Sequence, residues 1–437
     1  MNNHQFKQYA LTSTINQVID QLGFHEPTPI QQKVIPAALR GESIIGQSQT
    51  GSGKTHAYLL PLLNSLDESK KEVQFVVTAP TRELATQIYN EVKKIIEFAK
   101  KEQEWHAKLF IGGTDKKRTI EKLKEQPQIV IATPGRLLDL VQEGALDLFS
   151  AKAFVIDETD LMLDLGLIKE VDQTLVKMNH DVQVMVFSAT IPERLQPFLK
   201  KYLEQPTYIK IEDHLSPETM EHRLVPLRHK SVSQVVFNIT QTIQPYLAII
   251  FTNGKELANE LAAELNEKGL EVGLIHGGLT PRERKRVLKD IQALKYQFIV
   301  ATDLAARGID IKGVSHVINA QLPKEEEFYI HRVGRTARAG AEGTAISVYK
   351  DEDIRLIEKL ETKGLSFESY DIKNGEWVES KAWNERNLRL KKDNEVDKEA
   401  WKKVKKPKKV KPGYKKKMKF QQEKIKKRLQ KNVKHKK

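Results

Sequence analysis

Short, continuous apolar segments alternate with amphipathic segments along the first half of the chain. Apolar runs bounded by polar residues are typical of strands that are buried on both faces. The six candidate strands are residues 43–47, 73–80, 108–113, 129–134, 153–158 and 182–190. Between them, segments such as 82–101 and 136–143 have the apolar spacing of helices. Buried strands that alternate with helices predict a parallel sheet covered by helices on both faces.

The same pattern restarts after a charged stretch around Pro217. Five further candidate strands follow, at residues 246–252, 271–276, 297–303, 314–320 and 344–350. The chain has 437 residues, which is more than one hydrophobic core usually holds. We therefore predict an α/β protein with two domains, at residues 1–212 and 221–380, joined by a linker at 213–220.

Charge separates the end of the chain from the body. The net charge of +14 conceals a basic segment at 381–437, where 25 Lys and Arg residues outnumber 6 acidic ones. The other 380 residues then carry 47 basic and 52 acidic side chains. Such a basic block predicts a disordered or weakly helical tail whose commonest partner is a polyanion.

Composition excludes several classes of function. The chain has no cysteine, which excludes disulfide scaffolds, cysteine-ligated zinc, iron–sulfur clusters and cysteine catalysis. The N-terminus lacks the charged and apolar regions of a signal peptide, and the apolar runs are too short to span a bilayer. We expect a cytoplasmic protein with no membrane partner.

A phosphate-binding loop directly follows the first candidate strand. Glycines at 51 and 53 let successive backbone N–H groups turn toward phosphate oxygens, Lys54 supplies positive charge, and the Thr55 hydroxyl can ligate Mg²⁺. The strict pattern has Gly where this chain has Ser48, so an ordinary glycine turn is the alternative. The preceding strand and the following helix favour the nucleotide site. Its predicted ATP-binding residues are Ser48, Gln49, Thr50, Gly51, Ser52, Gly53, Lys54 and Thr55.

An acidic pair ends the fifth candidate strand. Asp157 can hold Mg²⁺, largely through water, and Glu158 can orient and deprotonate a water molecule. A charged strand end without function is the alternative, which the phosphate loop in the same sheet disfavours. In the second half, arginines recur every third residue at 332, 335 and 338, which predicts either a solvated basic face or arginine fingers for the transferred phosphoryl group.

Taken in order, these and further motifs resemble those of the DEAD-box RNA helicases of helicase superfamily 2, over roughly residues 1–370. Within that family the chain looks most like the cold-shock-type members of Gram-positive bacteria. The motifs that carry the resemblance are GFHEPTPIQ at 23–31, PTRELA at 80–85, TPGR at 133–136, DETD at 157–160, SAT at 188–190, IIFTN at 249–253, ATDLAARGID at 301–310 and HRVGRTAR at 331–338.

The resemblance implies two tandem RecA-like domains and RNA-stimulated ATP hydrolysis coupled to local unwinding, with ATP and Mg²⁺ as cofactors. It implies catalytic roles for Lys54, Asp157, Glu158, Arg335 and Arg338. Adenine and ATP contacts fall on Phe24, Gln31 and Asp310. RNA-backbone contacts fall on Thr81, Arg82, Gly113, Thr133, Arg136 and Thr302, although Thr81 and Thr133 equally suit helix caps. Residues that couple hydrolysis to unwinding are Asp160, Ser188 and Thr190.

Several positions depart from the family pattern, and other functions stay open. The departures are Ser48, Thr159, Gly254, Pro281 and Ala337, none of which removes a charged catalytic group. A DNA helicase of the same superfamily and a non-enzymatic RNA chaperone are the alternative functions. For the leading function, structured RNA is the expected partner, with cold response, RNA decay and ribosome assembly as open cellular roles, and with ribosomal particles, RNA-decay factors or cold-shock proteins as further partners.

Overall fold

Two separate parallel sheets organise the chain in the computed structural model. The structure describes residues 5–49, 51–113, 115–121, 123, 125–211, 220–306, 311, 313–336, 342–384, 403–404, 418 and 421–425. Each sheet carries helices on its faces, and the sheets follow one another along the chain without exchanging strands. The prediction of two tandem RecA-like domains with parallel sheets is confirmed.

The first sheet has seven strands, all parallel, in the order β3-β4-β2-β5-β6-β1-β7. Its strands are β1 Ile44–Gln47, β2 Phe75–Thr78, β3 Ala107–Phe110, β4 Ile129–Ala132, β5 Ala153–Ile156, β6 Gln183–Ser188 and β7 Thr207–Lys210. Neighbouring residues of one strand point to opposite faces, so Ile44 packs in one apolar cluster and Ile45 in the other. Burial on both faces explains why most of these strands read as continuous apolar runs.

Nine helices cover this sheet in the described part of the chain. They are α1 Ser13–Leu22, α2 Pro29–Leu39, α3 Lys54–Asn64, α4 Arg82–Ala99, α5 Lys116–Glu121, α6 Pro134–Gln142, α7 Thr159–Asp164, α8 Ile168–Leu175 and α9 Gln196–Tyr202. Short 3₁₀ turns occupy Gln5–Gln8 and Glu193–Leu195. Helices α3, α4, α6 and α7 begin just after β1, β2, β4 and β5, so the loops before them meet at the carboxyl edge of the sheet, where α/β proteins bind ligands.

The second sheet has eight strands in the order β10-β11-β9-β12-β13-β8-β14-β15. Its strands are β8 Met220–Pro226, β9 Ala248–Thr252, β10 Val272–Ile275, β11 Phe298–Thr302, β12 His316–Asn319, β13 Gly343–Tyr349, β14 Glu368–Lys373 and β15 Glu376–Glu379. All pairs are parallel except the terminal hairpin of β14 and β15. Its helices are α10 Val232–Thr242, α11 Lys255–Glu267, α12 Pro281–Gln292, α13 Asp303–Ala306, α14 Glu326–Val333 and α15 Ile354–Thr362, with a 3₁₀ turn at Asp351–Asp353.

Four strands were not anticipated from the sequence pattern: β7, β8, β14 and β15. The strand β7 forms an edge of its sheet and exposes Tyr208 and Lys210, and β14 and β15 expose several charged side chains, so none of the three is a continuous apolar run. Of the predicted linker at 213–220, only residue 220 lies within the described part, and it begins β8.

The predicted tail begins too early. Trp383 is buried in an apolar cluster of the second unit, and its indole Nε1 donates to Glu361 Oε1 at 3.0 Å. The folded unit therefore extends beyond residue 380. Among the few tail residues that the structure describes, Val404 and Gln422 are also buried. The other tail residues lie outside the described part, so the disorder of the tail stays a prediction.

No helix in the described ranges is long and apolar enough to cross a membrane.

Candidate active site and RNA-facing surface

The phosphate loop joins β1 to α3 as the sequence predicted. Gly51 and Gly53 both have left-handed backbones, with φ of +86° and +95°, and Gly53 is the N-cap of α3. A Cβ at Gly53 would lie 2.7 Å from Gln31 Nε2, and the positive φ of Gly53 is one that residues with a Cβ rarely adopt. The loop therefore leads into the N-terminus of α3, where the first backbone N–H groups have no partner within the helix and are available to phosphates. Ser48 is accommodated, since its Oγ lies 2.8 Å from Ser52 Oγ.

Lys54 links this loop to the acidic strand end. Its Nζ donates to the carbonyls of Ser48 at 2.7 Å and Gln49 at 3.1 Å, and it lies 4.0 Å from Glu158 Oε1. The Lys54 side chain is 6% exposed, so its charge acts in a poorly solvated environment. One cation thus faces two adjacent carboxylates, and a cation beside Asp157 would balance the remaining negative charge.

Asp157 is buried and holds its carboxylate in place with two hydrogen bonds. Tyr58 donates its hydroxyl to Oδ2 at 3.0 Å, and the Glu158 backbone N–H donates to Oδ1 at 3.0 Å. Burial, followed by the nearby Glu158 charge, raises the pKa of Asp157 to about 6. A raised carboxylate pKa marks a buried negative charge that lacks full compensation. The Thr55 hydroxyl and this carboxylate are the donor set that Mg²⁺ takes when water and substrate phosphates complete its shell, so these residues fit the ion.

Glu158 sits in a strained backbone conformation, with φ of +50°. Left-handed conformations are costly for residues with a Cβ, by about 1–3 kcal/mol, and they concentrate at functional sites. This conformation places Glu158 as the N-cap of α7 while its carboxylate stays near Lys54. The strain favours a functional assignment over an ordinary charged strand end.

Gln31, in the first turn of α2, braces the phosphate loop. Its side-chain Nε2 donates to the Gly53 carbonyl at 3.2 Å, and its Oε1 accepts from Thr28 N at 3.0 Å. Phe24 is half-buried between the ring of Phe6, stacked at 6.4 Å, and the ring of His56, edge-on at 4.9 Å. The structure therefore brings both predicted adenine contacts beside the phosphate loop.

The departure at Thr159 has a structural explanation. This side chain is fully buried, and its hydroxyl lies 3.0 Å from the Ile156 carbonyl and 3.1 Å from the Phe187 carbonyl. These carbonyls lie near the ends of neighbouring strands β5 and β6. The hydroxyl replaces the family's methyl group without an unsatisfied polar atom, and it ties the acidic element to the strand that leads to Ser188.

The three predicted coupling residues form one cluster, and a residue of the second unit completes it. Asp160 Oδ2 accepts from Thr190 N and Thr190 Oγ1, both at 3.1 Å, and Ser188 Oγ accepts from Asp160 N at 3.1 Å. His331 Nε2 lies 3.1 Å from the same Asp160 Oδ2. Both side chains of this pair are almost fully buried. The cluster thus joins the acidic element, the SAT element and the second unit at one carboxylate oxygen.

The structure corrects the interpretation of Arg332 as a finger. Its Nε and Nη2 donate to the two Asp303 oxygens at 2.5 and 2.7 Å. The remaining donors reach three further oxygens: Asn319 Oδ1 at 3.2 Å, Gln321 O at 2.6 Å and Asn253 Oδ1 at 2.7 Å. All five donors of the guanidinium are used within the second unit, so none is left for a phosphoryl group. Arg332 instead fixes the helix that bears His331.

Arg335 is buried in the turn that follows α14, close in sequence to His331. Its backbone N–H donates to the Arg332 carbonyl at 3.1 Å, so the well-anchored Arg332 also fixes the position of Arg335. Arg338, Asp310 and Thr50, together with the departure at Ala337, lie outside the described residues.

The candidate RNA contacts of the first unit converge at the ends of β2, β3 and β4. Thr81 Oγ1 accepts from Leu84 N at 3.2 Å, so the helix-cap interpretation is confirmed for this residue. Thr133 Oγ1 instead accepts from Gly112 N at 3.3 Å and ties two of these loops together. Gly113 has φ of +80°, and a Cβ there would overlap the Arg82 guanidinium.

Two other predicted RNA contacts are buried, one in each unit. Arg136 lies in the first turn of α6, with its Nε 3.8 Å from Asp139 Oδ2. Thr302 ends β11 in the second unit. At Gly254, another departure, the backbone begins α11 as its N-cap, and its carbonyl accepts from Thr252 Oγ1 at 3.1 Å.

A second contact crosses between the units close to these loops. Arg284 Nε pairs with Glu83 Oε1, and Arg284 Nη2 donates to the Ala305 carbonyl at 3.0 Å. The sequence pattern alone predicts no role for Glu83, Arg284 or His331. Glu83 and His331 lie in quoted motifs and Arg284 lies three residues after the departure at Pro281, but only the tertiary structure shows which charges face each other.

Comparison with known proteins matches both units. Residues 28–198 match the family described as "DEAD/DEAH box helicase", and residues 230–340 match "Helicase conserved C-terminal domain". A DEAD-box ATP-dependent RNA helicase CshB from Bacillus subtilis is 52% identical over 99% of both chains. The protein of the same name from Bacillus cereus is 49% identical over 98% of both. Among solved structures, Saccharomyces cerevisiae Dbp5 bound to RNA and ADP BeF3 has a TM-score of 0.76 and 27% identity, covering 90% of this chain and 99% of that one.

Proposed function

The chain belongs to the DEAD-box family of ATP-dependent RNA helicases, and we propose that the residues described above divide ATP hydrolysis and RNA binding between its two units. The enzyme hydrolyses ATP and acts on RNA. The proposal concerns which side chains carry each step. The observation that carries it is the Asp160 cluster, where the acidic element, the SAT element and His331 share one oxygen.

For the nucleotide, we assign binding to the phosphate loop and to the two contacts beside it. Lys54 and the N–H groups at the start of α3 neutralise the phosphates. Phe24 offers an aromatic contact to the adenine. Gln31 can read the base edge with the second N–H and the second Oε1 lone pair of its amide, since the bonds to Gly53 and Thr28 use one of each. Glu158 orients and deprotonates the attacking water, and Arg335 and Arg338 stabilise charge on the phosphoryl group in the transition state.

Mg²⁺ fits the donor set of Thr55 and Asp157, with water between the protein and the ion. When bound, it supplies positive charge that stabilises the phosphate oxygens during transfer. The protein's own part is to hold the Asp157 carboxylate still through Tyr58 and the Glu158 backbone.

For RNA, we assign backbone contact to the loop cluster of the first unit and to Thr302 of the second. Arg82 and Arg136 supply charge, while Thr81, Gly113, Thr133 and Thr302 supply hydroxyl or backbone groups. Contacts of this kind hold phosphates and 2′-hydroxyls without reading sequence. A strand held by both units is bent when they close, and a bent strand cannot remain paired, so local unwinding follows without long translocation.

A single assay tests this assignment. ATP turnover should rise with single-stranded RNA and stay near its basal level with DNA of the same sequence. Arg82→Gln should raise the RNA concentration needed for half-maximal stimulation and leave the ATP concentration dependence unchanged. Equal stimulation by DNA would favour the DNA-helicase alternative, and no ATP turnover at all would favour the chaperone alternative.

For the cellular role, the proposal names a compartment and classes of RNA process, without assigning residues. We place the enzyme in the cytoplasm, acting on structured RNA in cold response, RNA decay or ribosome assembly, with ribosomal particles, decay factors or cold-shock proteins as partners. The basic tail is proposed to tether RNA to the core through lysine–phosphate contacts. Crosslinking in cells would identify the RNAs, with a deletion of residues 385–437 beside the full chain. That deletion keeps Trp383 in its core cluster.

A further inference from the structure

One face of helix α12 carries a row of positive charges that no role above uses. Arg282, Lys285, Arg286 and Lys289 follow the spacing i, i+3, i+4 and i+7, so they share one face of the helix. All four side chains are exposed. We call these four residues the α12 stripe.

The α12 stripe is balanced only in part, because Arg286 alone of the four interacts electrostatically with Glu283 in the described ranges. Within the ranges that the structure describes, none of its four side chains makes an ion pair or a hydrogen bond. The Glu283 carboxylate is engaged in a capping box, accepting from Thr280 N at 2.9 Å and Thr280 Oγ1 at 2.7 Å. Like charges three and four residues apart repel each other, and positive charge in the first turn also opposes the helix dipole. The arrangement therefore weakens the free helix and favours a polyanion placed along this face.

The position of α12 in the fold indicates which polyanion would bind the α12 stripe. The opposite face of α12 carries Arg284, which pairs with Glu83 at the start of α4. Glu83 is next to Arg82, whose guanidinium packs against the Gly112–Gly113 turn. The helix thus lies at the junction where the proposed RNA contacts of the first unit meet the second unit. The α12 stripe lies on the side of the helix opposite Arg284, so it does not face the first unit's candidate RNA contacts.

We propose that the α12 stripe binds the phosphate backbone of an RNA duplex that flanks the single strand held between the units. The inference rests on the proposed RNA contacts and adds a second surface to them. The stripe runs for about 10 Å along the helix, at 1.5 Å of rise per residue, which is enough to reach two successive phosphates of one strand or to face both strands across a groove. Point charges at this spacing hold a backbone without reading its sequence.

The test compares the affinities of two RNAs for the unmodified protein and for a variant without the α12 stripe. One RNA is a short single strand, and the other is the same strand extended by a hairpin duplex. The variant R282Q/K285Q/R286Q/K289Q removes all four charges from an exposed face, so the fold should persist, as circular dichroism would verify. Affinity is measured by fluorescence anisotropy across salt concentrations, with an ATP analogue that resists hydrolysis.

We expect the variant to bind the hairpin-extended RNA about 10- to 100-fold more weakly at low salt and to bind the single strand as the unmodified protein does. Each lost phosphate contact should also flatten the slope of log K against log salt by about 0.9 for a duplex, so the slope should fall by about 2 or more. The variant R282K/R286K should retain the affinity, because it keeps the charges.

A matched control removes the same number of charges from elsewhere on the second unit. Four exposed basic residues there lie on α15, on β14 and before α10: Arg355, Lys359, Lys373 and Lys230. Their quadruple glutamine variant should bind both RNAs like the unmodified protein.

If the two quadruple variants weaken hairpin binding equally, the effect is one of net charge and the inference is wrong. If the α12 variant loses single-strand affinity equally, the stripe belongs to the cleft and the inference is also wrong. Absence of RNA-stimulated turnover in the unmodified protein would instead overturn the proposed function.

Discussion

His331 Nε2 lies 3.1 Å from Asp160 Oδ2, and this pair joins the two units at the acidic element. Each residue is separately anchored. Thr190 donates two hydrogen bonds to the same Asp160 oxygen. Arg332, next to His331, uses all five of its donors in hydrogen bonds within the second unit. When Nε2 carries its proton, the imidazole donates to the carboxylate. A substitution at either residue therefore removes a contact between the two units.

The pair should couple hydrolysis to RNA. We expect His331→Ala to lower RNA-stimulated turnover about 10- to 100-fold, the range of a typical coupling free energy, with little change in ATP affinity. A double-mutant cycle with Asp160→Ala isolates the pair, because each single change removes one partner of the contact. Additive losses in turnover would show that the two residues act independently.

Glu158→Gln should bind ATP and RNA but lose about 10²- to 10⁴-fold in turnover, because the amide keeps the shape and lacks the base. Single-turnover hydrolysis and RNA affinity with ATP are the measurements. Lys54→Ala is the matched comparison: it should lose ATP binding itself, since Lys54 is the cation of the phosphate loop. Normal turnover by Glu158→Gln would mean that another group activates the water.

Arg335→Ala should lower turnover by about 10³-fold while ATP still binds, as expected for a group that stabilises the transition state. Because Arg335 is buried, its loss could also loosen the fold. Arg335→Lys is the control, since it preserves charge and much of the packing but not the planar donor set. Weaker ATP binding with unchanged turnover at saturating ATP would mean that Arg335 binds ATP in the ground state and does not stabilise the transition state.

Thr159→Ala restores the residue that is typical of the family and removes a buried hydroxyl. Because that hydroxyl bonds to carbonyls near the ends of two strands, we expect the free energy of unfolding to fall by about 1 kcal/mol. Turnover should change little, since both carboxylates remain. Urea denaturation measures the first effect. Thr159→Val is the control for packing, because it keeps the volume and lacks the hydroxyl.

His222 should make stability depend on pH. It is buried with its Nδ1 2.9 Å from the Tyr329 hydroxyl, and burial lowers its pKa from 6.5 to about 4. Protonation therefore favours the unfolded chain, so stability present above pH 6.5 is lost as the pH falls toward 4. Between pH 7 and 5 the loss from this group is about 2 kcal/mol. Urea denaturation of His222→Gln should show a smaller decline over this range; equal declines would contradict the assignment.

The sequence by itself determined the two parallel sheets, because strands buried on both faces leave continuous apolar runs. It also located the phosphate loop and the acidic strand end, where one short segment contains the whole chemical pattern. It did not reveal β7, β8, β14 or β15. The exposed side chains of β7, β14 and β15 leave no such run. It also placed the end of the second unit before Trp383.

Only the tertiary structure decided which charged residues face each other. Arg332 and Arg335 are equivalent in a sequence repeat of three, yet the guanidinium of Arg332 is fully paired within its own unit. His331 lies 171 positions from Asp160, and Arg284 lies 201 from Glu83. Such pairings depend on how two units fold and meet, and a local pattern contains no information about distance in space. The sequence supplied the chemical groups, and packing selected which of them act together.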